Sequence, residues 1–337
     1  MTYKSYMVFF LKSLLITAVA IVHTGVKGQA PELGNKSADT HSIFLADPAI
    51  FAYEGVYYLY GTSGHDPDQG FEVFISDDLQ SWKSPEEAQN GYALRKEDVF
   101  GDKGFWAPQV FYYQKKFYMA YTANEQIAIA IADSPLGPFK QEEKIALSAP
   151  VKQIDPYIFM DEDGKKYLYH VRLTEGNRLF VAEMEDDLSA IIPETLRECI
   201  TAEEDWENTQ NVPWPVAEGP SVIKHKGLYY FVYSANDFRN PDYAVGYAVG
   251  ETPYGPWKKH PDNPILSRKD VLQNGSGHGD FFQDDNGEYY YVFHTHYSDG
   301  QVRPRRTAVV KAKFEASAAE DLLKMDKESV EFLQKID

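Results

Sequence analysis

Ala46-Asp47-Pro48-Ala49-Ile50-Phe51 is the first of five segments built to one pattern. The others are Trp106-Ala107-Pro108-Gln109-Val110-Phe111, Ile154-Asp155-Pro156-Tyr157-Ile158-Phe159, Glu218-Gly219-Pro220-Ser221-Val222-Ile223 and His278-Gly279-Asp280-Phe281-Phe282-Gln283. Each runs into a polar turn and then an aromatic strand: Val56–Tyr60, Phe117–Tyr121, Tyr167–Tyr169, Leu228–Tyr233 and Glu288–Phe293. Gly55, Gly164, Gly227 and Gly287 stand just before four of these strands, where a tight hairpin calls for positive φ. A second element closes three of the units: Ser76-Asp77-Asp78-Leu79-Gln80-Ser81-Trp82, Ser134-Pro135-Leu136-Gly137-Pro138-Phe139 and Thr252-Pro253-Tyr254-Gly255-Pro256-Trp257. Its terminal aromatic is suited to fill the gap between neighbouring sheets.

The units recur every 50 to 60 residues or so, with no long helical period between them. Five such units of about four short strands each describe an all-β, five-bladed β-propeller forming a single domain. A large sandwich would not repeat its first hairpin five times, and a parallel β-helix would need shorter coils.

Composition agrees and narrows the partners. The 337 residues are 43% hydrophobic and 25% charged, with 24 Tyr, 20 Phe and 5 Trp. Aromatics favour strands and their flat faces also suit sugar rings. The formal charge of −18 repels phosphate backbones and anionic lipid, which argues against a nucleic-acid partner. Residues 1–28 read as a signal peptide: Lys4 and Lys12 precede the apolar stretch Leu14 to Val22, and Val26-Lys27-Gly28 offers a cleavage point. The apolar stretch is short for a membrane span of about 20 residues. Cys199 is the single cysteine, so no internal disulfide is available; export without disulfides suits a bacterial periplasm or exterior. No His is paired with it in sequence to make it a nucleophile. Residues 29–40 read as a polar linker, 41–315 as the propeller and 316–337 as a tail. The Ala, Leu, Glu and Lys content of the segment from Glu315 to Gln334 predicts a short C-terminal helix. No membrane contact is expected after signal removal, and a monomer is expected.

In a propeller the innermost strand of each blade lines the axis, so aligned positions converge. The proline column reads Pro48, Pro108, Pro156, Pro220 and Asp280. The residue before it reads Asp47, Ala107, Asp155, Gly219 and Gly279, and the one before that Ala46, Trp106, Ile154, Glu218 and His278. Acids thus stand in blades one, three and four. Asp before Pro is good turn chemistry on its own. Two at one repeat position, with a Glu one residue away in a third blade, point to function, because gathering acids on an axis costs desolvation and repulsion. Facing carboxylates are what glycosidic hydrolysis requires: one protonated to donate to the leaving oxygen, the other ionised to activate water.

These segments resemble glycoside hydrolase family 43, five-bladed propeller enzymes that act on arabinose- and xylose-containing glycans. The resemblance spans residues 41–315 and rests on Ala46-Asp47-Pro48, Trp106-Ala107-Pro108, Ile154-Asp155-Pro156, Glu218-Gly219-Pro220 and Gly277-His278-Gly279. It implies an inverting hydrolase in which Asp47 is the general base, Glu218 the general acid and Asp155 the residue that orients the acid and tunes its pKa. That mechanism expects the Asp47 and Glu218 carboxyls at roughly 6.5–9.5 Å.

Among the other candidates, His278 is either near a Ca²⁺ on the axis, as the resemblance implies, or hydrogen-bonded there without metal. One imidazole among waters would be an unusual Ca²⁺ site, and no cofactor is required by the chemistry. Trp106 is placed to meet the sugar or to pack the blade entry. Trp206 and Trp214, in the loop with Asn211-Val212-Pro213-Trp214-Pro215, either line the cleft or are buried structurally. Arg305 and Arg306, from Arg303-Pro304-Arg305-Arg306, fit an Arg pair that the family uses on substrate hydroxyls, or form a solvated edge. His294 and His296 face one side of their strand and read as structural polar groups.

A fructan hydrolase of a related propeller family is disfavoured, because its Asn-Asp-Pro, Arg-Asp-Pro and Glu-Cys motifs are not matched. A non-catalytic sugar-binding propeller is the rival from another class, though all three acids are present. The polar segment Ser234–Tyr247, with Asn236, Asp237, Arg239 and Asp242, is a candidate wall closing the pocket. That leads to an exo-acting α-L-arabinofuranosidase, with β-xylosidase, endo-arabinanase and β-galactofuranosidase or galactan-active hydrolases as alternatives.

Overall fold

Leu228–Ala235 shows why the repeated strands are apolar throughout. Alternate side chains leave a strand on opposite faces. Tyr230 and Val232 enter one core with residues of the following blade, such as Tyr291 and Phe293, while Tyr229, Phe231 and Tyr233 enter another with Tyr167, Tyr169 and Val171 of the preceding one. A sheet buried on both faces reads as a continuous hydrophobic run rather than as an alternation. Five buried clusters result, one at each interface between neighbouring blades.

A computed structural model describes residues 42–336. The expected signal peptide and linker, residues 1–28 and 29–40, lie outside the described residues. Blade one contains Leu45–Tyr53, Val56–Ser63 and Phe74–Ser76; blade two Trp106–Tyr113, Lys116–Ala123 and Gln126–Ala132. Blade three is Gln153–Met160, Lys166–Leu173, Asn177–Glu183 and Arg197–Ile200. Blade four is Ala217–His225, Leu228–Ala235, Ala244–Gly250 and Lys258–Lys259, and blade five Gly277–Gln283, Tyr289–Thr295, Arg306–Glu315 and Leu322–Phe332. Pairing within every blade is antiparallel. The hairpin glycines Gly55, Gly164, Gly227 and Gly287 all have positive φ, between 79 and 88°. Trp82 and Phe139 are fully buried, and Trp257 packs against Phe231 with ring centroids 5.0 Å apart, so the closing aromatics do plug the sheets.

The C-terminal helix is corrected. Leu322–Phe332 is the outer strand of blade five, pairing Leu323 with Phe314 and Met325 with Ala312. Its helix-favouring composition is overridden because Leu323 and Met325, two apart, both enter the core between blades four and five. The chain then crosses to blade one: Leu333 joins its core, and Gln334–Lys335 pairs in parallel with Ser81–Trp82. The ring is therefore closed by the segment that composition assigns to a tail.

Each innermost strand carries a bulge at the same place, between Ala46 and Ala49, Trp106 and Gln109, Ile154 and Tyr157, Glu218 and Ser221, and Gly277 and Gly279. The bulged residue is left-handed in all five blades: Asp47, Ala107, Asp155, Gly219 and His278, with φ from 43 to 62°. Blade five is thereby shifted by one from the sequence alignment. His278, not Gly279, shares the column of Asp47 and Asp155, and Gly279 stands where the other blades have Pro. A bulge re-aims its side chain, and here those of Asp47, Asp155 and His278 meet, with Nδ1 of His278 3.4 Å from Asp47 and 3.9 Å from Asp155. Proline directly after the bulge suits it, since it brings no N–H to a crowded place.

Candidate active site

Asp47, Asp155 and Glu218 are all buried. Asp47 is held by four neighbours. The Thr62 hydroxyl donates to its Oδ2 at 2.6 Å, and Arg305 donates to its Oδ1 at 3.0 Å. Its own N–H donates to Nδ1 of His294 at 3.0 Å, while Nδ1 of His278 lies 3.4 Å from its Oδ1. Burial alone raises its pKa. The Arg305 charge first, then the two imidazoles and the Thr62 hydrogen bond, outweigh burial and hold Asp47 well below the usual carboxylate range.

Glu218 is in the opposite condition. Its partners are neutral: Tyr243 donates its hydroxyl to Oε1 at 2.9 Å and Asn177 its amide to Oε2 at 3.0 Å. Burial, reinforced by the charge on Asp47, pushes its pKa up to about 7 against these two hydrogen bonds. Asp155 is also pushed up, by burial and then by repulsion from Glu218 and Asp47. Desolvation thus leads for Glu218, and the two acids together retain a proton into the neutral range. A carboxylate held low in pKa together with a proton-holding acid is an arrangement that can take a proton from water and give one to a leaving oxygen.

Asp155 keeps one backbone contact, the N–H of Gly219 on its Oδ2 at 3.4 Å. Gly219 must be glycine here, because a Cβ would lie 2.8 Å from the His278 ring. Below the acids, Pro48, Gln109, Tyr157 and Asp280 line an axial cavity of about 20 Å³, room for one water.

The remaining candidates separate. Trp106 is half-buried at the entry to blade two, beside Ala107. Trp214 is 46% exposed, and its Nε1 donates to Oδ1 of Asn177, the residue that donates to Glu218. Trp206 is structural: it packs against Tyr233 with centroids 5.8 Å apart and donates to Glu204. Arg305 reaches the acids, whereas Arg306, on the next position of the strand, turns to the other side and stacks on Phe332 at 4.0 Å. His294 is fully buried and its Nδ1 accepts from the Asp47 N–H, while His296 meets the carbonyl of Phe238. The Cys199 thiol is pushed up to about 12 by burial, against a nucleophilic role.

Of the segment Ser234–Tyr247, Tyr243 reaches Glu218 and Phe238 lies beside Arg305, with the Arg305 guanidinium 4.7 Å from its ring and Arg303 and Arg239 also over it. Nδ1 of His278 faces Oδ1 of Asp47 at 3.4 Å and Oδ2 of Asp155 at 3.9 Å, and no group of three or more His, Cys, Asp or Glu side chains that could hold a metal ion occurs among the described residues. Sequence reasoning missed Thr62 and the role of His294, which an alignment of the second strands brings out, and Asn177, Tyr243 and Phe238, which follow no repeat. Among the described residues no helix is long and apolar enough to cross a membrane.

Comparison with known proteins agrees with this geometry. The model of the family described as glycosyl hydrolases family 43 matches residues 40–318. A β-D-galactofuranosidase of Aspergillus niger is 24% identical over 298 residues, covering 83% of this chain and 82% of its own. A xylosidase/arabinosidase of Bacteroides ovatus is 27% identical, over 64% of this chain and 76% of its own. Among solved structures, one titled endo-1,4-β-xylanase from Bacteroides thetaiotaomicron is 41% identical with a TM-score of 0.81, covering 88% of this chain and 98% of its own. Five blades, an axial set of three acids and a family match over most of the sequence have one meaning: the chain belongs to glycosyl hydrolase family 43 and is a glycosidase.

Proposed function

We propose that the protein is an inverting, exo-acting hydrolase that releases terminal α-L-arabinofuranosyl residues from plant cell-wall glycans. The observation that carries the mechanism is the unlike company of two buried carboxyls: Asp47 accepts from the Arg305 guanidinium at 3.0 Å, whereas Glu218 accepts only from the neutral Tyr243 and Asn177, so the first is held low and the second is pushed up to about 7. Asp47 takes a proton from water as the water oxygen bonds to the anomeric carbon. The bond from that carbon to the leaving oxygen breaks on the opposite face, and the leaving oxygen receives the Glu218 proton. The geometry for such a displacement is a carboxyl separation of roughly 6.5–9.5 Å. Asp155 orients Glu218 and shares its proton. Trp106 and the exposed Trp214 offer ring faces to sugar. Phe238 and Arg239, beside Arg305, wall the pocket toward an exo mode.

The furanose assignment draws on relatives named for arabinosidase and xylosidase activity. A β-D-galactofuranoside is the second reading, favoured by the A. niger relative, which matches across 83% of this chain. Hydrolysis of nitrophenyl α-L-arabinofuranoside, β-D-galactofuranoside and β-D-xyloside ranks these readings directly; fastest turnover of the xyloside would replace the furanoside reading. NMR of the first-formed product reads the anomeric outcome, and retention would reject the roles given to Asp47 and Glu218. Glu218→Gln is expected to lower kcat by about 10²–10⁴-fold, with the smallest loss on substrates whose leaving group needs no proton. We further propose export of the mature chain, supported by the leader-like residues 1–28. N-terminal sequencing of the protein recovered outside the cytoplasm tests that.

A further inference from the structure

The five bulges are tied to one another around the axis. The N–H of Ala107 donates to the Thr62 hydroxyl of blade one at 3.0 Å, and that of Asp155 to the Thr122 hydroxyl of blade two at 3.0 Å. The N–H of His278 donates to the Ser234 hydroxyl of blade four at 2.7 Å, and that of Asp47 to Nδ1 of His294 of blade five at 3.0 Å. All four acceptors occupy one register position on the second strand, opposite Ala46, Trp106, Glu218 and Gly277. In blade three that position, opposite Ile154, is Val171, fully buried and without an acceptor. The N–H it would serve belongs to Gly219, and this donor goes instead to Oδ2 of Asp155.

We propose that Val171 is a positioning residue: by withholding the acceptor that the other blades supply, it commits the Gly219 N–H to the Asp155 carboxylate and fixes that acid beside Glu218. A buried backbone donor must find a partner. With an apolar side chain at position 171, the carboxylate is the acceptor left within reach. The bond favours the ionised form of Asp155 against burial and the repulsion from Glu218 and Asp47 that push its pKa up, and so biases the proton the two acids share toward Glu218, where donation needs it. The other groups around Asp155 do not replace this contact. Asp47 from blade one and Glu218 from blade four repel it, His278 from blade five stands 3.9 Å away, and Arg305 is engaged with Asp47. Blade two contributes only the Thr122 hydroxyl, which holds the Asp155 N–H.

Val171→Thr, close to isosteric, and Val171→Ser restore an acceptor; Val171→Ala removes packing without adding one. The test follows the Gly219 amide proton by NMR across pH, together with kcat and KM on the aryl glycoside that the wild type hydrolyses best. In the wild type and in Val171→Ala the amide shift tracks a titrating carboxylate, and the pH profile of kcat is the same. In Val171→Thr and Val171→Ser that response is lost, kcat falls by about 10-fold with KM within about twofold, and the pH profile moves to higher pH. A Gly219 response that persists in both hydroxyl variants overturns the proposal, as does a loss of kcat in Val171→Ala equal to that in Val171→Thr, or an unchanged kcat once the response is gone. The kinetic arm rests on the hydrolase reading and the amide arm does not. A wild type inactive on every glycoside would therefore count against that reading, while the amide comparison still decides where the Gly219 N–H goes.

Discussion

Arg305 is the residue on which the state of Asp47 depends. Burial by itself would drive the Asp47 carboxyl toward neutrality, and the adjacent guanidinium reverses the sign. In Arg305→Met the cation and two hydrogen bonds disappear while burial remains, so the Asp47 pKa rises. Its ionised form, the one able to accept a proton from water, is then lost at a higher pH than in the wild type. The expected result is an acid limb of the kcat/KM profile displaced to higher pH, with a lower maximum, in a protein whose thermal unfolding stays cooperative. An acid limb at the wild-type position would show that Asp47 is not the group that must be ionised. Arg305 was legible as a candidate because Arg303-Pro304-Arg305-Arg306 fits the Arg pair that the family resemblance implies. Its distinction from Arg306 was not, since only strand alternation in three dimensions sends one to Asp47 and the other to Phe332.

At the level of elements, the inner strands make an axial pocket because each breaks its ladder at the same residue. The repeat was readable: prolines at matched positions marked four of the five bulges, and hairpin glycines marked the turns that follow. Blade five was misaligned by one because Gly279 replaces proline and leaves no marker, so the sequence column placed Asp280 where the structure has Gly279. Asp280 instead enters the axial cavity, where its Oδ1 accepts from the Ser221 hydroxyl at 2.7 Å. Burial pushes its pKa up to about 7 from an ordinary 3.8. The folded state therefore binds this proton more tightly than the unfolded chain, and stability falls as pH rises through the window between those values. Asp280→Asn keeps an oxygen for Ser221 and removes the titration. Its stability relative to wild type should grow from pH 4 to pH 8, read as the difference in urea midpoint at each pH. A difference constant with pH would mean that Asp280 ionises at no cost in the fold.

For the whole molecule the decisive feature is closure, and it is the one least visible in the sequence. A propeller ring needs its last blade fastened to its first. Here Leu322–Phe332 completes blade five, and the following residues hydrogen-bond into blade one, with the Ile43 N–H on the Leu333 carbonyl and the Ile336 N–H on the Trp82 carbonyl. The segment's composition favours helix, and only its pairing with Arg306–Glu315 decides otherwise; a partner strand is information that local propensity does not contain. Ending the chain after Glu315 removes Leu323, Met325 and Leu333 from their cores, each worth about 1.5–3 kcal/mol when fully buried. The same cut loosens the junction between blades five and one, across which His294 and Arg305 reach Asp47. Activity should therefore be lost together with stability, and not after it. The truncated chain is expected to unfold more than about 10 °C below the full chain, with kcat falling well below the wild type even at temperatures where it remains folded. A truncated protein that keeps the wild-type kcat would mean that the junction holds the catalytic acids without the strand that closes it.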